Sequence, residues 1–505
     1  MKYINPIIKG FNPDPSICRV GEDYYLVTSS FEYFPGIPIY HSRDLVNWEH
    51  IGNCIDSEEQ LPMETVSASG GIWAPTIRYD KGVFYVTATF SEKGNFIIYT
   101  DNPYGVWSKP VWTEMDGIDP SMFFEYGKMY YCANDCGSRS NIYESEGISL
   151  AEMDAKTGKV MGDTKRIWEG TGGGFLEAPH IYHIGEWYYL ICAEGGTGLN
   201  HISTAARSKN LFGPYESYKD NPILTNRNDT TKQVSCCGHA DFVDDTDGNW
   251  WAVHLGTRIA NGWMSHLGRE TFLTPLEWKD GFLVAENYMA RINVEAPIKE
   301  EQISKTLWCA DFSNGNWENE WLFIKKPDMD NYNRIGGVLE LKPSKIHLMD
   351  GKLSPTFIAV RQADFECSVK TEIDFNTHRT GDEAGLAVYV APHYSYRIFK
   401  RKKQDGDYIC VKKTADDFSQ TAYCKKIENG TVKLKIKAEK DKYSFYYSTN
   451  NEPFTFAVSA STRFLSCELV GRCFTGAIIG VYAQTDTETN AVAKIKSFEQ
   501  STQNK

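Results

Sequence analysis

Short apolar runs alternate with turn residues along the first three hundred positions, and the runs keep a recurring internal order. Segments 24–30, 83–90, 129–133 and 187–193 are apolar, β-branched or aromatic and are bounded by Gly, Asp, Asn and Lys, which predicts strands joined in hairpins. Five runs open on paired aromatics: Tyr24-Tyr25, Phe84-Tyr85, Tyr130-Tyr131, Trp187-Tyr188 and Trp250-Trp251. A second phrase recurs further along three of the units, His-Ser-Arg-Asp-Leu-Val-Asn-Trp at 41–48, Thr-Asp-Asn-Pro-Tyr-Gly-Val-Trp at 100–107 and Arg-Ser-Lys-Asn-Leu-Phe-Gly-Pro-Tyr at 207–215, and fits an outer strand with its closing turn. Helical periodicity of three turns or more is hard to find before residue 290. A β unit repeated five times predicts five blades around a common axis, a five-bladed β-propeller.

The repeats stop after Glu-Trp-Lys-Asp-Gly-Phe-Leu-Val at 277–284, and a polar stretch from about 295 to 305 reads as a linker. It divides residues 1–294 from residues 306–505, in keeping with a 505-residue chain that exceeds what one core accommodates. Beyond it, alternating strands at 365–373, 384–390, 431–438 and 476–483 predict a β-sandwich. That half carries no repeated acidic signature and is expected to support or border a site built by the first. The fold class is all-β, a propeller followed by a sandwich.

About ten or eleven positions upstream of each aromatic pair stands a residue fit for chemistry. These are Asp14 in Asn-Pro-Asp-Pro-Ser, Trp73 in Gly-Ile-Trp-Ala-Pro, Asp119 in Gly-Ile-Asp-Pro-Ser, Glu177 in Phe-Leu-Glu-Ala-Pro and His239 in Gly-His-Ala-Asp. Equivalent positions on innermost strands converge, so three carboxylates, a tryptophan and a histidine should meet in one pit. Proline should hold Asp14 and Asp119, the residues before it, in extended geometry, and Glu177 precedes Ala-Pro in the same way. One such dipeptide is an ordinary turn signal. Three acids in register need another reason, because like charges repel and desolvation is costly at a blade axis. Glycoside hydrolysis supplies one: a carboxylic acid protonates the departing oxygen while a carboxylate activates water or attacks. Crowding and burial raise a carboxyl pKa and keep such an acid protonated near neutral pH. The residues alone do not divide these roles.

Aromatics make up 13% of the chain, a surplus that suits stacking on the apolar faces of sugar rings. The formal net charge of −13, with no basic block, argues against nucleic acid or anionic membrane partners and favours neutral substrates. Thirteen cysteines, odd in number and without paired zinc-finger spacing, read as free thiols in a reducing compartment. The opening Met-Lys-Tyr-Ile-Asn-Pro lacks a signal-peptide apolar run, and no stretch approaches the ~20 apolar residues of a membrane span, so the expected location is cytoplasmic.

Together, Asn-Pro-Asp-Pro-Ser at 12–16, Gly-Ile-Trp-Ala-Pro at 71–75, Asp119-Pro-Ser, Glu177-Ala-Pro-His, Cys-Gly-His-Ala-Asp at 237–241 and Leu-Gly-Arg-Glu-Thr at 267–271 resemble glycoside hydrolase family 43. The length of the second half resembles the jelly-roll, concanavalin-like sandwich appended to the family's β-xylosidases. The resemblance implies an inverting mechanism, with Asp14 as general base, Glu177 as general acid and Asp119 orienting Glu177 and adjusting its pKa. It also implies that Phe31 and Trp73 border the terminal sugar, with core filling as the other reading, and that Arg269 binds sugar hydroxyls near the base, with a surface salt bridge as the other. His239 would face the central channel, where calcium is an option although hydrolysis requires no cofactor, and nothing in the chain reads as a calcium loop. Phe474, in Arg472-Cys-Phe-Thr-Gly-Ala-Ile-Ile-Gly, either closes the pocket or packs inside a strand. The segment Cys132-Ala-Asn-Asp-Cys-Gly departs from the family, whose xylosidases often carry an aromatic there on the leaving-group side. The expected function is release of xylose from non-reducing ends of short xylo-oligosaccharides. The alternatives are an α-L-arabinofuranosidase or bifunctional enzyme acting on arabinose-substituted oligosaccharides and, from another class, a non-catalytic carbohydrate-binding propeller. A homo-oligomer is left open.

Overall fold

The computed structural model describes residues 1–502 apart from 58, 136–146, 305, 314, 316, 451 and 472. Arg472, and Cys136 and Gly137 of the departing segment, therefore lie outside the described residues.

Five antiparallel four-stranded sheets form the first half. Their innermost strands are Ser16–Val20, Ile72–Asp80, Ser121–Glu125, Glu177–Ile184 and Val234–Asp244, and their second strands Asp23–Val27, Val83–Phe90, Lys128–Asp135, Trp187–Glu194 and Trp250–Arg258. Each aromatic pair falls at or near the start of a second strand. Neighbouring residues of a strand point to opposite faces of its sheet. In blade one Tyr25 packs with Phe84 of blade two, while Tyr24 packs with Trp251 of blade five. A sheet wedged between two others needs apolar side chains on both faces, which is why the aromatics come in pairs rather than alternating with polar residues. The second recurrent phrase covers the end of the third strand and the turn after it, as in Gly36–Ser42 and Gly94–Thr100. The propeller is tied shut where Lys2–Ile4 pairs antiparallel with Asn293–Glu295.

An eight-stranded and a six-stranded sheet form the second half. Cys367–Phe375 and Val432–Ala438 alternate between buried and half-buried positions, as an outward sheet face requires. Glu383–Ala391 is buried along its whole length. One of its faces lines the sandwich core with Leu386 and Val388, and the other packs Ala387 and Tyr389 with Phe357 and Tyr482 against Phe11 and Tyr33 of the propeller. Two glycines let the halves touch. A Cβ on Gly268, whose φ is +79°, would lie 2.5 Å from the Thr475 carbonyl oxygen, and one on Gly476 would lie 2.1 Å from that of Leu267. That contact carries the loop before Ile478–Gln484 to the propeller axis. Among the described residues the α-helical content is one turn, Cys467–Val470, and the cysteines are free thiols.

Candidate active site

Residues two apart on an innermost strand face the axis together. In all five blades one axial residue has left-handed backbone: Asp14 (φ 54°), Ala74 (39°), Asp119 (52°), Ala178 (52°) and His239 (56°). Two expectations change here. The residues before proline are left-handed rather than extended, a conformation that aspartate tolerates better than most side chains. Trp73 and Glu177 also stand one residue upstream of the repeated position, which Ala74 and Ala178 occupy. The extra residue is absorbed by register shifts between Trp73 and Thr76 and between Glu177 and His180. Left-handed non-glycine residues cost of order 1–3 kcal/mol each and persist where surrounding structure fixes them.

The three carboxyls meet in the pit but are held in different ways. Asp14 is buried, accepts a hydrogen bond of 2.6 Å from the Ser29 hydroxyl, and forms a 2.7 Å ion pair with Arg269. Burial pushes its pKa up, but Arg269, His239 and the Ser29 hydroxyl outweigh that and hold it below the usual carboxylate range. The Asp119 and Glu177 carboxyls have no hydrogen-bond partner among the described residues. Burial first, then the charge of Asp14, pushes Glu177 up to about 8, against the opposing pull of Arg269. Asp119 rises well above its ordinary value through burial and the charges of Glu177 and Asp14. The charges of Asp119 and Glu177 therefore act on one another as well as feeling burial and Asp14. One pit thus holds an ionised carboxylate and a carboxylic acid at neutral pH.

Aromatic rings wall the pit. Phe31 and Phe474 lie 5.9 Å apart between ring centroids, with the Arg269 guanidinium 5.6 and 5.7 Å from them. Phe474 is not inside a strand: it precedes Ile478–Gln484, and its carbonyl accepts a 3.1 Å bond from Arg269. Arg269 is no surface salt bridge either, since its side chain is 12% exposed and also donates to the Thr197 hydroxyl at 2.9 Å. Trp73 is half-buried, and its indole N–H donates to the Ser69 carbonyl at 3.1 Å.

The sequence profile of glycosyl hydrolases family 43 matches residues 3–283. The chain belongs to glycosyl hydrolase family 43. Membership makes it a glycoside hydrolase and sets aside the non-catalytic propeller. A second profile, the β-xylosidase C-terminal concanavalin A-like domain, matches residues 309–501 of this family 43 chain. The chain is 39% identical to a non-reducing end α-L-arabinofuranosidase of Bacteroides ovatus, over 97% of this chain and 92% of that one. It is 33% identical to a β-xylosidase of Bacillus subtilis, over 99% of each. The solved structure of the Bacteroides ovatus xyloglucan PUL GH43B superposes with a TM-score of 0.94 at 37% identity, covering 100% of both chains.

Two residues deeper, the axis of this family 43 propeller is tied rather than open. Asp241 takes bonds from Arg78 at 2.8 and 3.0 Å, from the Ser16 hydroxyl at 2.5 Å, from the Ile17 N–H at 3.0 Å and from the Tyr182 hydroxyl. Several pit residues carried no repeated signal. Ser29 stands two residues before Phe31, off the repeat; Thr197 and His201 come from a loop of blade four. The His201 ring lies where a Cβ on Gly238 would stand 2.7 Å away, so the glycine lets it settle beside His239. Glu194, 1% exposed, holds the glycine-rich approach to Glu177 through the N–H groups of Thr171 and Gly173. His239 lies with Nδ1 3.9 Å from Asp14. Calcium takes 6–8 oxygen ligands. Here the nearby donor is a ring nitrogen, Asp14 is engaged by Arg269 and Ser29, and no group of three or more His, Cys, Asp or Glu among the described residues could hold an ion. These residues do not fit a directly ligated calcium.

Proposed function

We propose that this family 43 enzyme is an inverting exo-β-xylosidase that removes single xylose units from the non-reducing ends of short xylo-oligosaccharides, with chemistry in residues 1–294 and a closing wall from residues 306–505. The observation that carries the reading is the split within one pit: Asp14 held ionised by Arg269, Glu177 held protonated by burial and by the charge of Asp14. Asp14 takes a proton from water as the water oxygen bonds to the anomeric carbon. The bond from that carbon to the leaving oxygen breaks, and Glu177 delivers its proton to that oxygen. Exchange with solvent returns the proton to Glu177 and removes it from Asp14. Asp119, whose pKa burial and the charges of Glu177 and Asp14 push up, is assigned to orienting Glu177. The wall that Phe474 adds beside Phe31 favours one terminal sugar over mid-chain attack.

The second reading is α-L-arabinofuranosidase, favoured by the 39% identity to the non-reducing end α-L-arabinofuranosidase of Bacteroides ovatus. Turnover of nitrophenyl β-xyloside against nitrophenyl α-arabinofuranoside ranks the two, and absence of turnover on both rejects each. Glu177→Ala tests the acid: activity on glycosides with poor leaving groups should fall by about a thousandfold, while that on activated ones falls far less. Equal loss on both would remove Glu177 from the acid role.

A further inference from the structure

We infer that Glu32 is a positioning residue for the terminal-sugar pocket, acting through Ser69 to hold the aromatic walls Phe31, Trp73 and Phe474 in register; this rests on the glycosidase reading above. Ser69 is the meeting point. Its carbonyl accepts the Trp73 indole N–H at 3.1 Å, and its hydroxyl accepts the Phe474 backbone N–H at 3.0 Å. One residue of the propeller therefore fixes an aromatic from its own domain and one from the sandwich.

Ser69 pays for that geometry with left-handed backbone, φ 58°, a conformation that a non-glycine residue keeps only when its surroundings dictate it. The group that dictates it is Glu32, whose Oε2 accepts the Ser69 N–H at 3.0 Å. Glu32 is 2% exposed and follows Phe31 directly. Its carbonyl accepts the N–H of Lys325, from the sandwich side, at 2.8 Å, next to the pairing of Tyr33–Phe34 with Phe323–Ile324. Behind Ser69, Gly71 passes so close to Phe31 that a Cβ there would lie 2.2 Å from its carbonyl oxygen, and Phe31 and Ile72 exchange backbone bonds of 3.0 and 3.1 Å. All three rings are thus tied to a Glu32–Ser69 link that no step of hydrolysis uses. Burial raises Glu32 to about 8, so near neutral pH it works as a neutral acceptor, which glutamine can imitate.

The test compares Glu32→Ala, Glu32→Gln and Ser69→Ala in the full chain. It reads KM and kcat on an activated pentoside, Ki for free pentose, and hydrogen exchange of segments 67–74 and 473–477 with 187–194 as control. For Glu32→Ala we expect KM and Ki to rise together by about tenfold with kcat within about threefold, and glutamine to restore both to within about twofold. Exchange should quicken at 67–74 and 473–477 and stay unchanged at 187–194. Ser69→Ala removes only the hydroxyl and should quicken 473–477 alone, raising KM by about threefold. Unchanged Ki and exchange in Glu32→Ala, a glutamine variant as impaired as the alanine one, or loss of kcat with KM intact would each overturn the inference. Should Glu32→Ala not fold, the other two variants decide. Should the wild type turn over no pentoside, the glycosidase reading fails, while exchange at 473–477 still decides the link from Glu32 through Ser69 to Phe474.

Discussion

Asp241 and Asp14 lie on the same axis, two residues apart in the blade register, and their surroundings differ in kind. Asp241 is wholly buried and takes bonds from Arg78, Ser16, Ile17 and Tyr182, which join blades one, two, four and five. Arg78 and these donors hold its pKa far below the usual carboxylate range despite burial, and His180 beside it is pushed down to about 3 chiefly by burial. The layer above keeps Asp14 ionised with one arginine and one serine and leaves Asp119 and Glu177 without hydrogen-bond partners among the described residues. A saturated carboxylate is a cross-tie; an unsaturated one can meet a substrate. Charge at a propeller axis has structural and chemical uses, and hydrogen-bond saturation tells them apart.

The contrast breaks most visibly at Asp14. Asp14→Ala should lower kcat/KM by about ten-thousandfold on substrates with good and poor leaving groups alike while circular dichroism stays native, because Arg269, though it loses its carboxylate, keeps its bonds to the Thr197 hydroxyl and the Phe474 carbonyl in the pit. Asp241→Ala should do the reverse. It strands Arg78 in the buried layer and should cost about 3–5 kcal/mol in denaturant unfolding. An equally stable Asp241→Ala would erase the distinction between layers.

A smaller effect sharpens the comparison through pH. Glu177 has its folded pKa raised to about 8, above an unfolded value of about 4.3. Between those values the unfolded chain releases a proton that the folded chain keeps, so this group's contribution to stability falls as pH rises through that window and levels off above it. Glu177→Gln has no such slope, and its Tm relative to the wild type should climb from about pH 5 to about pH 8. Asp241, with its pKa lowered, gives no slope there, so Asp241→Asn should show a constant deficit over the same range.

The propeller was legible because its packing is written in adjacent residues: a sheet covered on both faces needs pairs such as Tyr24-Tyr25, and five pairs at blade spacing leave few other folds. The sandwich showed itself through alternation, as in Cys367–Phe375. Asp14, Asp119 and Glu177 stood out because acids recur in register. The offset of ten or eleven residues could not separate Glu177 from Ala178, since a bulge adds its residue without changing composition. Nor could it reveal left-handed backbone before proline, which tertiary contacts impose against the local preference. Thr197, His201, Glu32 and Ser69 reach the pit through loops, and Phe474 through a contact between halves that depends on Gly268 and Gly476. Such positions follow from the assembled fold and leave no periodic trace. The role of Asp241 was hidden for another reason: its partner Arg78 lies 163 positions away in sequence.

Inversion requires water to attack one face of the sugar from Asp14 while Glu177 protonates the opposite side. Proton NMR of the first sugar released, recorded before mutarotation, tests this most directly. Inversion releases the anomer opposite to that of the substrate; first appearance of the substrate's own anomer would rule it out.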